Sequence, residues 1–483
     1  MNQQNEKSTI SGNLNGDMQY LNNLLNVDKS FDLVYRVIDV GDKKGCMYFI
    51  DGFCKDDIVQ KLLQYFMDIK PQDTPQDVHE LSKKKVPYIE VDLSDDWSEI
   101  VDFLLSGVFV FLVDGYDKAL LVDARTYPAR SVAEPEKDKV LRGSRDGFVE
   151  TIVFNTALIR RRIRSPKLHM EMMNAGVSSK TDIVICYMED RVNHKFLDIV
   201  KRKIKNIQVD ALTMNQESLA ECLYQRKWFN PFPKFKYTER PDAAAAQVLE
   251  GNIIILVDNS TAAMVVPTTI FDILEEADDY YFPPITGTYL RVTRFIIAVM
   301  TYIVTPTFLL LVNHPEWVPE SFSFILLKEP PNVPILLQFL ILELAIDGLR
   351  LAAVNTPSML STPLSVMAAL VLGEFSVNSG WFSSEVMLYM AFVAIANYTQ
   401  ANYELGYALK FMRILNLLFT QWFGILGYVG GIVLTILSIS LNRTIFGTSY
   451  LYPLIPFDWK KLKSRLFRRH LPGARAASDN EKI

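Results

Sequence analysis

The sequence predicts an α/β soluble N-terminal region of two related, duplicated subdomains, followed by an α-helical transmembrane domain. Three observations carry that prediction. Long apolar runs are confined to the part after about residue 286. Before them, a strand–turn–helix plan occurs twice. A hairpin with a tight turn then closes each repeat.

The whole-chain figures, 49% hydrophobic residues and a net charge of -5 over 483 residues, hide two unlike parts. Residues 1–28 are polar and Asn-rich with no apolar core, so a flexible tail is expected there rather than a targeting peptide. The first subdomain is expected over 29–150. In "GCMYFIDGFCKDDIVQKLLQYFMDI" (45–69) a short apolar strand precedes a helix with Ile58, Leu62, Leu63 and Phe66 on one face. The second subdomain, with its connector, is expected over 151–285. There "DIVICYMEDRVNHKFLDIVKRKIKNI" (182–207) repeats the plan, with Phe196, Ile199, Val200 and Ile204 as the helix face. The hairpins are "GVFVFLVDGYDKALLVDART" (107–126) and "GNIIILVDNSTAAMVVPTTI" (251–270). Asp114-Gly115 and Asp258-Asn259 supply the left-handed conformations that tight turns require. Gly107 and Gly251 open the two hairpins at equivalent places.

Several chemistries find no footing. Cys46, Cys54, Cys186 and Cys222 form no C-x-x-C pair and read as free thiols of a reducing compartment. The five histidines are scattered, so neither a metal site nor a cofactor is expected. "GSRDG" lacks the glycine-lysine pattern of a phosphate loop. The connector carries Arg160, Arg161, Arg162 and Arg164, but no aromatics interleave with them and the chain is acidic, so nucleic acid is not the expected partner. Those arginines, with Glu239 and Arg240, are expected at a subdomain or subunit contact. No nucleophile–base pair is visible, and no enzymatic activity is expected.

The membrane domain is expected over 286–456, with a basic cytoplasmic tail over 457–483. About four full spans qualify by length, at 291–312, 362–379, 382–402 and 415–441. The stretch 334–354 is long enough, but Glu343, Asp347 and Arg350 fall within about 60° of one another on a helix. It is either an amphipathic interfacial helix or a membrane helix facing a protein interior, with Asp347 able to pair with Arg350. Arg291, Arg294 and the tail are basic, whereas the loop 313–332 has only Lys328 against three glutamates, which places both ends inside. Lys410 and Arg413 then fall outside, or on an interfacial turn.

Within 362–379 a carboxylate, Glu374, stands in an otherwise apolar segment. On a regular helix Thr362, Ser365, Ala369, Gly373 and Ser376 form a small-residue face suited to close packing. Glu374 lies on the opposite side with Met367, Leu370, Val371 and Asn378. Repeated around a ring, that side makes a hydrophobic constriction beside a glutamate ring, two devices of cation channels. Glu374 is otherwise an ion-pair partner of Arg350 or an acid reaching the headgroups. The Glu343–Asp347 face is a second candidate for an ion pathway.

"VLRGSRDGFVETIVFNTALIRRRIR", "NPFPKFKYTERPDAAAA", "DDYYFPP" and "FGTSYLYP" resemble motifs of the A subunits of bacterial spore germinant receptors, in order and over nearly the whole chain. "KSFDLVYR" and "DARTYPARSVAEPEKDKVLRGSRDGF" are most similar to a sporulation branch of that family, encoded with dipicolinate-transport proteins. Ser449 departs from the family, which has proline before the tyrosine there. The resemblance implies a multi-pass protein of the spore inner membrane with both soluble ends facing the core. It also implies a ring homo-oligomer, a pentamer being one option, around an ion-conducting pore, and a small membrane partner protein. Germinant receptors and dipicolinate-transport proteins are further expected partners. Membrane lipids are expected from the residues themselves: the basic stretch 458–475 is either a contact for anionic headgroups or a solvated charged tail that follows the orientation rule. The roles left open are a cation channel subunit acting in germination, a non-conducting scaffold or regulator, and a nutrient-sensing receptor subunit.

Overall fold

A computed structural model describes residues 9–125, 143–224, 230–355, 369–400 and 402–467. The chain divides into two compact units. One contains the described residues up to 224 and 235–267, and the other 230–234 and 268–467.

The first unit holds two five-stranded antiparallel sheets with one topology. The first is ordered β1 (Leu33–Val40), β2 (Lys43–Ile50), β4 (Phe109–Val113), β5 (Ala119–Val122), β3 (Val91–Ser94). The second is ordered β6 (Leu168–Ala175), β7 (Thr181–Met188), β9 (Ile253–Val257), β10 (Ala263–Val266), β8 (Lys236–Thr238). Both expected hairpins form. Gly115 and Asn259 take positive φ values of 81° and 59° at their turns. Gly107 is also left-handed, and a Cβ there would stand 2.5 Å from the Phe53 ring, so only glycine fits.

Each sheet is covered by helices. Helices α1 (Leu14–Leu25) and α4 (Trp97–Leu105) cover one face of the first sheet, burying Leu21, Trp97 and Leu104 against Cys46, Val110 and Leu121. Helices α2 (Asp56–Met67) and α3 (Val78–Lys85) cover the other, where Phe66 stacks on Phe111 with centroids 4.3 Å apart. On the second sheet, α5 (Ile152–Arg162) and α8 (Pro241–Leu249) enclose Val184, Ile254 and Val265. Helix α6 (His194–Lys205) lies along β6, and α7 (Gln216–Leu223) packs on α6. Burial pushes the Cys46 and Cys54 thiols up to about 12, so neither is a thiolate at neutral pH.

Three expectations are corrected. The tail is not structureless: Asn13 caps α1 by accepting from the Gly16 amide at 3.2 Å, and Leu14, Leu21 and Leu25 bury one stripe. The supposed connector helix α5 is the counterpart of α1 in the second repeat. The Leu14 amide donates to Asp114 Oδ1 at 3.1 Å, and the Ile152 amide donates to Asp258 Oδ1 at 3.2 Å. Each turn aspartate thus holds a helix N-terminus onto its own hairpin. Finally, residues 268–285 group with the helical unit rather than with the second subdomain, because Asp279 and Glu275 pair with arginines of the next helix.

The subdomains meet at a buried ion pair. Arg160 Nε donates to Asp32 Oδ2 at 2.9 Å, with both side chains at 2% exposure or less, and Nη1 donates to the Leu168 carbonyl at 3.1 Å. Beside it the Phe31 amide donates to the Met170 carbonyl at 3.1 Å. Arg160 is therefore an interior group, not part of a basic surface. Arg162 pairs with Asp146 at 2.5 Å, while Arg161 and Arg164 are exposed. The Glu239 carbonyl accepts from the Phe148 amide, and buried Arg240 pairs with Asp242 at 2.7 Å.

Breaking a buried pair leaves the other charge stranded, so Arg160→Ala is expected to cost about 3–5 kcal/mol in chemical denaturation. The double change Arg160→Met, Asp32→Leu is expected to recover most of that. His169, buried next to this pair, has its pKa held below the ordinary value near 6.5 by burial. The unfolded chain therefore takes up that proton first. Its contribution to stability is complete above about pH 6.5 and is lost as pH falls below it, a slope that His169→Phe should flatten in pH-dependent melting.

Candidate functional site

The helical unit opens with two short helices, α9 (Ile270–Leu274) and α10 (Asp278–Tyr281), and is built on α11 (Pro284–Asn313), α12 (Ile335–Asn355), α13 (Ser384–Tyr398) and α14 (Tyr403–Ser440). Two of these, α11 and α14, are long and apolar enough to cross a membrane. Helix α14 is not one rod. Gly424 has a non-helical backbone (φ 57°, ψ -134°) that breaks it into arms 403–423 and 425–440. Beyond the break the chain folds back: a Cβ on Gly431 would lie 2.2 Å from Asn416 Oδ1, and one on Gly427 1.8 Å from the Phe419 carbonyl oxygen. Glycine at both positions is what lets the arms touch.

Contacts with α11 fix the directions. Arg413 Nη1 donates to the Thr301 carbonyl at 2.8 Å, and Gly424 lies beside His314 at the far end of α11. On the returning arm Tyr428 hydrogen-bonds Thr307 at 2.8 Å, and Thr435 donates to Tyr302 at 2.9 Å. The first arm runs parallel to α11 and the second antiparallel. The expected single span 415–441 is therefore a helical hairpin whose first arm starts at 403. The stretch 334–354 is a full-length helix, and α13 ends at Tyr398. Residues 356–368 lie outside the described residues.

The charged face of α12 turns inward onto the first arm of α14. Arg413, with no exposed side-chain surface, donates through Nε to Glu343 Oε1 at 2.9 Å and pairs there again through Nη2. Lys410 pairs with Asp347, approaches Glu343 Oε2 to 3.5 Å and donates to the Glu343 carbonyl at 3.1 Å. Two acids meet two bases within one chain. This overturns two expectations: Asp347 pairs with Lys410 rather than Arg350, and Lys410 and Arg413 are interior rather than outside or on an interfacial turn. A buried cation is tolerated only beside a carboxylate, whereas an i,i+3 pair along one helix gains little. Arg350 lies instead over the Tyr398 and Tyr407 rings, 5.2 and 5.3 Å from their centroids.

Glu374 is placed differently. Leu370–Phe375 form a π-helical turn, not the regular helix assumed from the sequence, and Leu370 and Val371 fall within it. Glu374 is exposed and makes no ion pair with any described residue, Arg350 included. Ala369 and Asn378 are exposed, and Gly373 and Ser376 are half-buried. Among the described residues outside its own helical turn, no atom lies within 4 Å of where a Gly373 Cβ would be, so none of them packs on the small-residue side there. Thr362, Ser365 and Met367 lie outside the described residues.

A second charged cluster, invisible to sequence reasoning, sits at the start of α11. Asp279, fully buried, receives Arg291 Nε at 3.2 Å and Arg294 Nη2 at 2.5 Å. Glu275 receives Arg291 at 2.8 Å and Arg465 at 3.0 Å. The basic start of α11 is thus paired with acids of "EEADD" (275–279). Among the described residues no group of His, Cys, Asp and Glu is arranged to hold a metal ion.

Residues 19–478 match the family model described as Bacillus/Clostridium GerA spore germination protein. The chain is 36% identical over 471 residues to Stage V sporulation protein AF of Bacillus subtilis (strain 168), covering 97% of this chain and 95% of that one. It is 26% identical over 454 residues to Spore germination protein KA of the same organism, covering 92% of this chain and 82% of that one. Among solved structures, the N-terminal domain of the A subunit of the Bacillus megaterium spore germinant receptor GerK3 is 27% identical, with a TM-score of 0.42, covering 54% of this chain and 96% of that chain.

Removing Arg413 takes from Glu343 its closest partner in the bundle and leaves it only Lys410 at 3.5 Å. Arg413→Ala should lower stability in detergent by about 3–5 kcal/mol, read as an earlier unfolding transition. Pairing it with Glu343→Gln should restore part of that loss.

Proposed function

The chain belongs to the Bacillus/Clostridium GerA family of spore germination proteins, and from that membership we propose that it is a subunit of an oligomeric channel of the spore inner membrane, passing monovalent cations during germination. One observation carries the reading. The acids of α12 are neutralised inside the protomer, whereas Glu374 stands exposed and unpaired among the described residues. A compensated pair attracts no mobile cation. An uncompensated carboxylate beside apolar residues does, and intramembrane acids of that kind mark ion pathways. The Glu343–Asp347 face is therefore assigned to holding the bundle together.

The side at Ala369 and Gly373, on which no other described element packs near Gly373, supports assembly, since a helix of small residues gains contact only when another helix approaches it. Ring closure by copies of one chain supplies that neighbour and brings the Glu374 residues around a common axis. The basic tail and the acidic loop 313–332 support an orientation with both soluble ends toward the spore core.

The test is ion flux. The protein, with its small membrane partner, is reconstituted in lipid vesicles, and reversal potentials are measured in asymmetric salt. The wild type should conduct with cation preference, and Glu374→Gln should lower that preference about tenfold while still conducting. Well-formed oligomers that pass no current would replace the channel with the scaffold role.

A further inference from the structure

After the last arm of α14 the chain reaches a short basic helix, α15 (Trp459–Leu466), capped by Asp458 accepting from the Lys461 amide at 3.0 Å. Its inner side is fixed. Leu462 is buried, and Arg465 pairs with Asp272 at 2.7 Å and with Glu275 at 3.0 Å. The Arg465 carbonyl accepts from Arg291 Nη1 at 2.7 Å. Arg291 stands where the apolar run of α11 begins, so this bond sets the height of α15 at the boundary between apolar and polar helix surface.

The outer side is unusual for a water-facing helix. Trp459 and Phe467 are 60% and 47% exposed, and Lys463 lies between them on the same stripe. Leu454, Ile455 and Phe457 are exposed just before it, and the Phe457 ring stacks on Trp459 with centroids 6.2 Å apart. Lys460 is exposed beside them. Lysines are depleted from the apolar centres of protein interfaces. Interleaved with aromatics they suit a headgroup layer, where rings sit at the apolar boundary and ammonium groups reach phosphates. The sequence continues with Arg468 and Arg469, adding positive charge of the same kind.

We infer that residues 454–467 form a binding surface for anionic phospholipid headgroups. It rests on the reading that the chain spans a membrane and adds a defined lipid contact to it. Through Arg465 that contact bears on the acid cluster holding Arg291 and Arg294, and so on the base of the first span.

The full-length protein is incorporated into lipid nanodiscs made with brominated acyl chains, of phosphatidylcholine alone or mixed with phosphatidylglycerol. Tryptophan emission is compared between wild type and Trp459→Phe, the difference being the Trp459 component. That component should be quenched by the brominated chains, about twofold more in the anionic bilayer, and Lys460→Gln with Lys463→Gln should abolish the anionic excess. A Trp459 component unquenched in both bilayers, while the emission left in Trp459→Phe is partly quenched, overturns the lipid surface and assigns the face to another protein or a second copy. Failure of every tryptophan to be quenched instead overturns the membrane reading itself.

Discussion

Two carboxylates and two cations inside an apolar helical bundle cannot exist singly, and their mutual neutralisation dictates much of the helical unit. Glu343 and Asp347 lie one turn apart, as do Lys410 and Arg413 within the spacing of three residues. Matching those two rows fixes the rotation of α12 about its axis and its height against the first arm of α14. Arg413 also spends a donor on the Thr301 carbonyl, so the pair locks a third helix. Once that arm is held parallel to α11, the chain must reverse to bring Tyr428 and Thr435 back along the same helix, and Gly424 is where the backbone allows it.

The soluble unit solves its placement problem by repetition. A helix leaves four amide groups unpaired at its start, and a hairpin turn containing aspartate offers a carboxylate that can satisfy one. The chain uses that device at Asp114 and again at Asp258. The turn residue therefore does two jobs, supporting the tight reversal and seating the helix that covers the sheet. Two such sheets need a joint, and the Arg160–Asp32 pair supplies one that is buried, directional and intolerant of displacement.

Short-range patterns were readable without the structure. The hairpins, with Asp-Gly and Asp-Asn at their turns, and the duplicated plan are local signals that tertiary packing had no reason to override. Helix α1 was missed because the Asn-rich composition around it masked the Leu14, Leu21, Leu25 stripe, which the Asn13 cap would have reinforced. The hairpin within α14 was missed for a different reason. Residues 403–440 read as continuous apolar helix, and one glycine cannot announce a reversal unless Asn416 and Gly431 are known to touch. Partner choice was the least legible feature of all. Asp347 has Arg350 one turn away and Lys410 far along the chain, and only burial decides between them in favour of Lys410. The π-helical turn at Leu370–Phe375 likewise leaves no mark in residue spacing.

The same energetic rule that explains the paired acids gives the unpaired one its meaning. If buried carboxylates cost several kcal/mol each without a partner, a chain that supplies partners for Glu343 and Asp347 but gives Glu374 none among its described residues must keep Glu374 hydrated. Within a membrane segment, hydration requires either the headgroup region or an aqueous path. The two differ in what lies on the small-residue side of the segment. A headgroup-level acid needs no neighbour there, and Gly373 could face lipid indefinitely. An aqueous path must be walled on every side, and among the described residues no neighbouring element comes within 4 Å of a Cβ on Gly373. On the proposed reading that wall is supplied by further copies of the chain, so assembly and conduction stand or fall together.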